Sequence, residues 1–169
     1  MSYDFAVTTT APHSCYLRRG RYSESGHHYF LTTSVVRRCP IFTVHAHATI
    51  VLDAIRWLHA ADRFAVHAAV VMPDHLHFAG ELRQSTLPAV MHALKSYSAK
   101  RLVKVGLEPA IWQDGYHDHA LRDDEDYAVK IRYLIENPVR AGLVLRVEDY
   151  PHVLLPTWWS GSRHGAAPT

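Results

Sequence analysis

The sequence predicts an α+β domain in which one mainly antiparallel sheet packs against helices on one of its faces. Short runs typical of strands alternate with segments whose apolar residues recur at helical spacing. Two of the strand-like runs, 64–72 and 75–81, are separated only by Pro73 and Asp74. Because these two residues favour a tight turn, the runs are expected to pair as an antiparallel hairpin.

The other elements follow from the same two periodicities. Aromatic, Thr and Val residues concentrate in 28–36 and predict the first strand. Apolar residues three or four positions apart predict one helix over about 42–61 and another from Leu87 to Leu102. The segment around 116–122 is expected to be a strand or a loop.

The last predicted helix is bounded by recognisable chemistry at both ends. Asp123 is a suitable N-cap, and the three acidic residues after it favour the positive end of a helix dipole. Pro138 disfavours helical geometry at Asn137, so the helix is expected to end near that residue. Its apolar stripe is predicted to consist of Tyr127, Ile131, Leu134 and Ile135.

The length of 169 residues suits one domain. We expect a disordered N-terminus over 1–15, a single domain over 16–159 and a flexible tail over 160–169. No apolar run is long enough to span a membrane and no signal-like segment begins the chain, so we expect a cytoplasmic protein without a membrane partner. The net charge of +2 is compatible with nucleic-acid binding but does not argue for it.

Histidine is unusually frequent, with 14 residues, and six of them form three His-x-His pairs. Residues i and i+2 share a face of a strand but lie about 200° apart on a helix. His45 and His47 fall in a predicted helix, so that pair is expected to be structural or exposed. His75 and His77 fall in a predicted strand, where both imidazoles project from one face and suit a divalent metal ion. A satisfied core feature is the alternative for this second pair.

The third pair, His117 and His119, lies where the local structure is ambiguous. Two residues on a loop have no fixed common face, so the pattern alone does not assign them. A second metal site, a DNA contact and polar loop residues all fit, and we favour a supporting role.

Tyr133 stands out on the last predicted helix. It lies about 200° from Ile131, on the face opposite the apolar stripe, whereas a tyrosine needed for core packing would lie on the stripe. Asn137 follows at i+4 and Lys130 precedes at i−3, so the three side chains are neighbours. This arrangement is compatible with a nucleophile beside a third metal ligand. An ordinary exposed tyrosine next to a helix-ending asparagine is the alternative.

Four stretches of the sequence together match a known protein family. Met72–His77, Trp112–Tyr116, Asp118–Arg122 and Tyr133–Val144 closely resemble the REP-associated tyrosine transposases. These proteins are relatives of the single-tyrosine HUH transposases of small bacterial insertion sequences. The resemblance runs in the right order from about residue 18 to residue 151. It implies a ferredoxin-like HUH fold, with the histidines on a central strand and the tyrosine on a helix.

The resemblance also implies roles for individual residues. His75 and His77 match the histidine pair of the HUH motif, Tyr133 matches the catalytic tyrosine, and Asn137 matches the third metal ligand. Insertion-sequence relatives often have Gln at this last position, and Asn keeps the carbonyl oxygen. The implied cofactor is a divalent metal, Mg²⁺ or Mn²⁺. The pair at 117 and 119 matches no catalytic position.

The implied activity is cleavage and rejoining of single-stranded DNA near palindromic hairpins through a 5′-phosphotyrosine, by a monomer or a homodimer. Two alternatives remain: a domesticated module that binds hairpins without cutting them, and a metallohydrolase of small molecules that would not depend on Tyr133. A basic groove would follow the strand. The residues predicted to contact DNA are Lys95, Lys100, Arg101, Lys104, Arg122 and Lys130.

Overall fold

The computed structural model describes residues 23–121 and 126–159. The predictions for 1–15, for the tail from 160 and for Arg122 lie outside the described residues. Among the described helices, none has the length and apolar character needed to cross a membrane. The elements are β1 (His28–Ser34), α1 (His45–Ala60), β2 (Phe64–Met72), β3 (His75–Leu82), α2 (Leu87–Lys104), β4 (His117–Ala120), α3 (Tyr127–Ile135), α4 (Asn137–Arg140) and β5 (Val153–Leu154).

The described strands form one sheet in the order β4-β1-β3-β2-β5. Every pairing is antiparallel, and β3 lies at the centre between β1 and β2. Met72 pairs with His75 around the turn at Pro73 and Asp74, as expected for a tight hairpin. The predicted α+β class and the antiparallel hairpin are therefore confirmed.

Helices cover both faces of this sheet, so the prediction of helices on one face is wrong. Leu76 and Phe78 of β3 lie in a buried core with side chains of α1 and α2. Ala79 follows His77 by two residues and so lies with it on the other face, in a second core with Ile131 and other side chains of α3. The physical reason lies in β2, where alternate residues on both faces are apolar and need cover.

The helix α3 begins at Tyr127, which corrects the predicted start at Asp123. Asp126 is the N-cap, and its side chain accepts a hydrogen bond from the Val129 backbone N–H at 3.1 Å. Several acidic residues precede the helix, and each has the chemistry of a cap. Tyr127 and Ile131, four residues apart on this helix, both pack against the sheet.

A β-bulge in β2 helps to dock α3 on the sheet. The register with β3 shifts between Val66 and Ala68, which leaves His67 as the extra residue. The Tyr127 hydroxyl and His67 Nδ1 lie 2.6 Å apart. Burial raises the pKa of Tyr127 and lowers the pKa of His67, so the phenol donates to a neutral imidazole. This bond fixes the first turn of α3.

Candidate active site

His75 and His77 project from the same face of the central strand, as predicted. Leu76, between them, is fully buried on the opposite face. The two imidazole centroids are 4.6 Å apart and the rings are nearly perpendicular, at 89°. Neighbouring imidazoles on a strand held from both sides form a rigid pair of nitrogen donors.

The His75 ring is oriented by a chain of polar contacts that sequence reasoning missed. Its Nδ1 lies 2.5 Å from Asp74 Oδ1, and Asp74 Oδ2 forms an ion pair with Arg38 Nε at 2.9 Å. Arg38 Nη1 also donates to the Ser34 hydroxyl at 2.7 Å. With Nδ1 occupied by a carboxylate, Nε2 is the nitrogen that remains for a metal. The sequence contains one signal of this arrangement, an acidic residue directly before the histidine pair, but turn chemistry explains that residue equally well.

The backbone that presents Arg38 is strained. Arg37 and Arg38 both have φ values of 56°, in the left-handed region that non-glycine residues rarely occupy. Each such residue costs on the order of 1–3 kcal/mol when the surroundings must impose it. The strain falls at the residue whose guanidinium contacts Asp74, so it serves the geometry around His75.

His77 is held in a similar way from the neighbouring strand. Its Nδ1 lies 2.7 Å from the Thr32 hydroxyl, and Thr32 is its direct partner across β1 and β3. Burial, followed by the charges of His75 and Arg38, lowers the pKa of His77 to about 4. The ring is therefore neutral at neutral pH, which is the form that binds metals.

Tyr133 and Asn137 lie at the C-terminal end of α3 and the start of α4. Tyr133 is 65% exposed, off the buried stripe, as predicted. The Arg140 guanidinium lies 3.6 Å from the centre of its ring, and Arg140 Nη2 donates to the Tyr133 carbonyl at 2.6 Å. Asn137 Nδ2 donates to the Leu134 carbonyl at 2.8 Å, so the amide nitrogen serves as a helix cap. The amide oxygen is not used by that bond, so capping and metal binding do not exclude each other.

One cavity of about 550 Å³ brings most of the predicted site together. It lies between β1, β4 and α3, and His77, Tyr133 and Asn137 all line it. His75 adjoins it through its ring contact with His77. Among the described residues, no group of three or more His, Cys, Asp or Glu could hold a metal. The Asn137 amide, which carries an oxygen donor, lines the same cavity as His77.

The pair in α1 is split between different partners, which agrees with the predicted structural role. His45 Nδ1 lies 3.0 Å from His152 Nε2, and His47 Nδ1 lies 2.9 Å from the Ile41 carbonyl oxygen. Two rings bonded in different places do not share a metal ion. The 45/47 pair also lies on a different element, α1, from the histidines of β3.

The predicted DNA contacts fall on two sides of the sheet. Lys95, Lys100, Arg101 and Lys104 all belong to α2, whose buried residues pack in the core opposite the cavity. The Lys95 ammonium donates to the carbonyls of Gln113, at 2.7 Å, and Gly115, so it anchors that loop. Lys130, by contrast, lines the cavity. Of the predicted DNA contacts that the structure describes, four therefore lie on α2 and one lines the cavity.

The sequence matches the family described as IS200-like transposases over residues 23–137. A putative REP-associated tyrosine transposase of Haemophilus influenzae is 30% identical over 101 residues, covering 53% of this chain and 57% of the relative. A REP-associated tyrosine transposase of Escherichia coli is 31% identical over 94 residues, covering 52% of each. The chain therefore spans little more than half the length of these curated relatives.

Two solved structures share the fold. One is described as a REP-associated tyrosine transposase bound to a REP hairpin, with a TM-score of 0.66, 26% identity and 79% of each chain covered. The other is described as a putative transposase from Deinococcus radiodurans, with a TM-score of 0.50 and 25% identity. That match covers 71% of this chain and 96% of the other.

Proposed function

Because this chain belongs to the IS200-like transposase family, we propose that it is a metal-dependent single-tyrosine transposase that cleaves and rejoins single-stranded DNA. One observation carries the proposal. An exposed tyrosine that the core does not need lines the same cavity as His77, which is one of two neighbouring imidazoles on a rigid strand. A nucleophile next to a pair of metal donors is the arrangement that phosphoryl transfer requires.

The donor set fits a divalent ion. His75 and His77 would offer Nε2, because partners occupy both Nδ1 atoms, and Asn137 would offer its amide oxygen. Mixed nitrogen and oxygen donors with open positions suit Mg²⁺ or Mn²⁺. When bound, such an ion stabilises negative charge on the oxygens of the scissile phosphate.

The protein residues supply the nucleophile and its position. The Tyr133 oxygen forms a bond to phosphorus, and the bond from phosphorus to the 3′ oxygen breaks. The products are a 5′-phosphotyrosine and a free 3′-hydroxyl. The phosphodiester energy is kept in the covalent intermediate, so the strand can be rejoined without ATP. Arg140 lies over the Tyr133 ring and restricts its orientation.

The proposed substrate is single-stranded DNA with hairpin structure. The solved relative bound to a REP hairpin supports this partner. The direct test is incubation with single-stranded hairpin DNA and Mn²⁺, followed by denaturing electrophoresis for a covalent protein–DNA adduct. We expect an adduct that needs the metal. Hairpin binding without adduct or nicking would overturn the proposal and favour a module that only binds DNA.

The cations of α2 are expected to affect DNA binding but not the cleavage step. Replacing Lys100, Arg101 and Lys104 by Gln should weaken hairpin binding and flatten its salt dependence, by roughly 0.7 in the logarithmic slope for each phosphate that is no longer neutralised. Cleavage of saturated DNA should be unchanged, because α2 packs on the other face of the sheet. Arg56→Gln on α1 controls for the removal of a surface charge. An unchanged slope would show that other cations bind the phosphates.

Asn137 is proposed as the third metal ligand. Asn137→Asp and Asn137→Gln each keep an oxygen donor, so both should retain partial activity, with Asp changing the metal preference. Asn137→Ala should weaken Mn²⁺ binding, measured by calorimetry, much more than it lowers the melting temperature. The loss of the bond to the Leu134 carbonyl costs only about 1 kcal/mol. An Ala variant that binds Mn²⁺ and nicks DNA like the parent would show that Asn137 is only a cap.

A further inference from the structure

The sheet register places His119 on the same face as the candidate metal ligands. Thr32 pairs with His77 on one side and with His117 on the other. Phe30, two residues before Thr32 on β1, pairs with His119. Side chains directly opposite each other on neighbouring strands point to the same face. His119 lines the cavity that Tyr133 and Asn137 also line. A histidine of the unassigned third pair is therefore part of the site.

His119 contacts a lysine of the nucleophile helix. Its Nε2 lies 3.2 Å from the Lys130 Nζ, across the gap between β4 and α3. Lys130 lies three residues before Tyr133, so the two side chains are neighbours on the helix surface. An ammonium has three donors and no acceptor. It therefore donates in this contact, and His119 Nε2 accepts.

Arg38, Arg140 and Lys130 are cations in or beside the cavity. Arg140 is bound to the ring and carbonyl of Tyr133, and Arg38 is paired with Asp74. Of the described residues that line the cavity, Lys130 is the one with a cationic side chain.

We propose that His119 is a positioning residue that holds the Lys130 ammonium against the scissile phosphate of the DNA. The inference rests on the proposed function, because it needs a phosphate beside Tyr133. The ammonium donates to a non-bridging oxygen of that phosphate, on the α3 side of the cavity. A fixed donor stabilises the charge that develops there better than a lysine that must first be ordered.

The test compares single and double variants on single-stranded hairpin DNA. Lys130→Ala should slow the cleavage of bound DNA on the order of 100-fold, the usual effect of removing one preorganised donor. His119→Ala should slow it roughly tenfold, because the ammonium remains but is no longer held. His119→Gln, whose amide oxygen accepts the same bond, should recover most of the rate. His117→Ala is the matched control from the same strand and the same face.

Two readouts separate positioning from a structural role. The dissociation constant for the DNA hairpin should change less than about threefold in His119→Ala. The loss of activity should therefore appear in the cleavage rate of bound DNA. The double variant His119→Ala/Lys130→Ala should be no slower than Lys130→Ala alone, because His119 acts through Lys130. Effects that multiply, or an equal loss in His117→Ala, would overturn the inference. Nicking by Tyr133→Phe would instead refute the proposed function, whatever the His119 variants do.

Discussion

Replacement of Tyr133 by Phe is expected to abolish both DNA cleavage and the covalent adduct. The change removes only the phenol oxygen, which is the proposed nucleophile, and loss of a nucleophile lowers a rate by several orders of magnitude, roughly 10⁴-fold or more. The ring is 65% exposed and its contact with Arg140 does not involve the hydroxyl as a partner, so the fold should be unaffected. Single-turnover nicking and denaturing electrophoresis measure the two losses.

Hairpin binding is the control for this variant. The dissociation constant of Tyr133→Phe should stay close to that of the parent, because the core and the cations of α2 are unchanged. Tyr116→Phe is the matched tyrosine variant, since Tyr116 lines a different groove beside α2 and Trp112. It should nick normally. Normal nicking by Tyr133→Phe would refute the proposed function, because Tyr133 would not be the nucleophile.

Replacement of His75 or His77 by Ala is expected to remove metal-dependent cleavage and to weaken Mn²⁺ binding. The loss should exceed the roughly 10–100-fold effect that is typical of changing a residue behind a metal ligand. His45→Ala and His47→Ala should leave Mn²⁺ affinity and nicking unchanged, because these rings bond to other protein groups. Calorimetry with Mn²⁺ and a nicking assay report the two quantities independently.

The stability of each variant decides how a loss is interpreted. His77 contacts Thr32 and is largely buried, so its truncation can lower the melting temperature. A variant that is folded at the assay temperature but binds no Mn²⁺ supports the metal site. Mn²⁺ affinity that is lost without the 45/47 pair and kept without the 75/77 pair would contradict the assignment.

Features set by local periodicity could be predicted from the sequence. The common face of His75 and His77 follows from strand alternation, and the exposure of Tyr133 follows from its angle to the apolar stripe. The cap at Asp126 was not predictable in the same way. Several consecutive acidic residues satisfy the chemistry of an N-cap, so the sequence alone does not select Asp126.

Features that depend on contacts between distant segments were not predicted. Thr32 and His77 are 45 residues apart in the sequence, and they meet because β1 and β3 are neighbouring strands. Arg38 reaches Asp74 only through a left-handed backbone that no propensity favours. The contact of His119 with Lys130 requires β4 to lie at the edge beside β1, which is a property of topology.

The register of the hairpin at Pro73 and Asp74 determines which side of the sheet carries the site. Side chains alternate along β3, so a shift of its pairing by one residue would exchange the two faces. Both imidazoles would then enter the core now filled by Leu76 and Phe78, and those apolar side chains would face the cavity. The site therefore depends on the register of this hairpin as well as on the identity of its residues. Insertions at this turn should be tolerated where a longer loop absorbs them, whereas a shift of the pairing by one residue would inactivate the protein with every functional side chain still encoded.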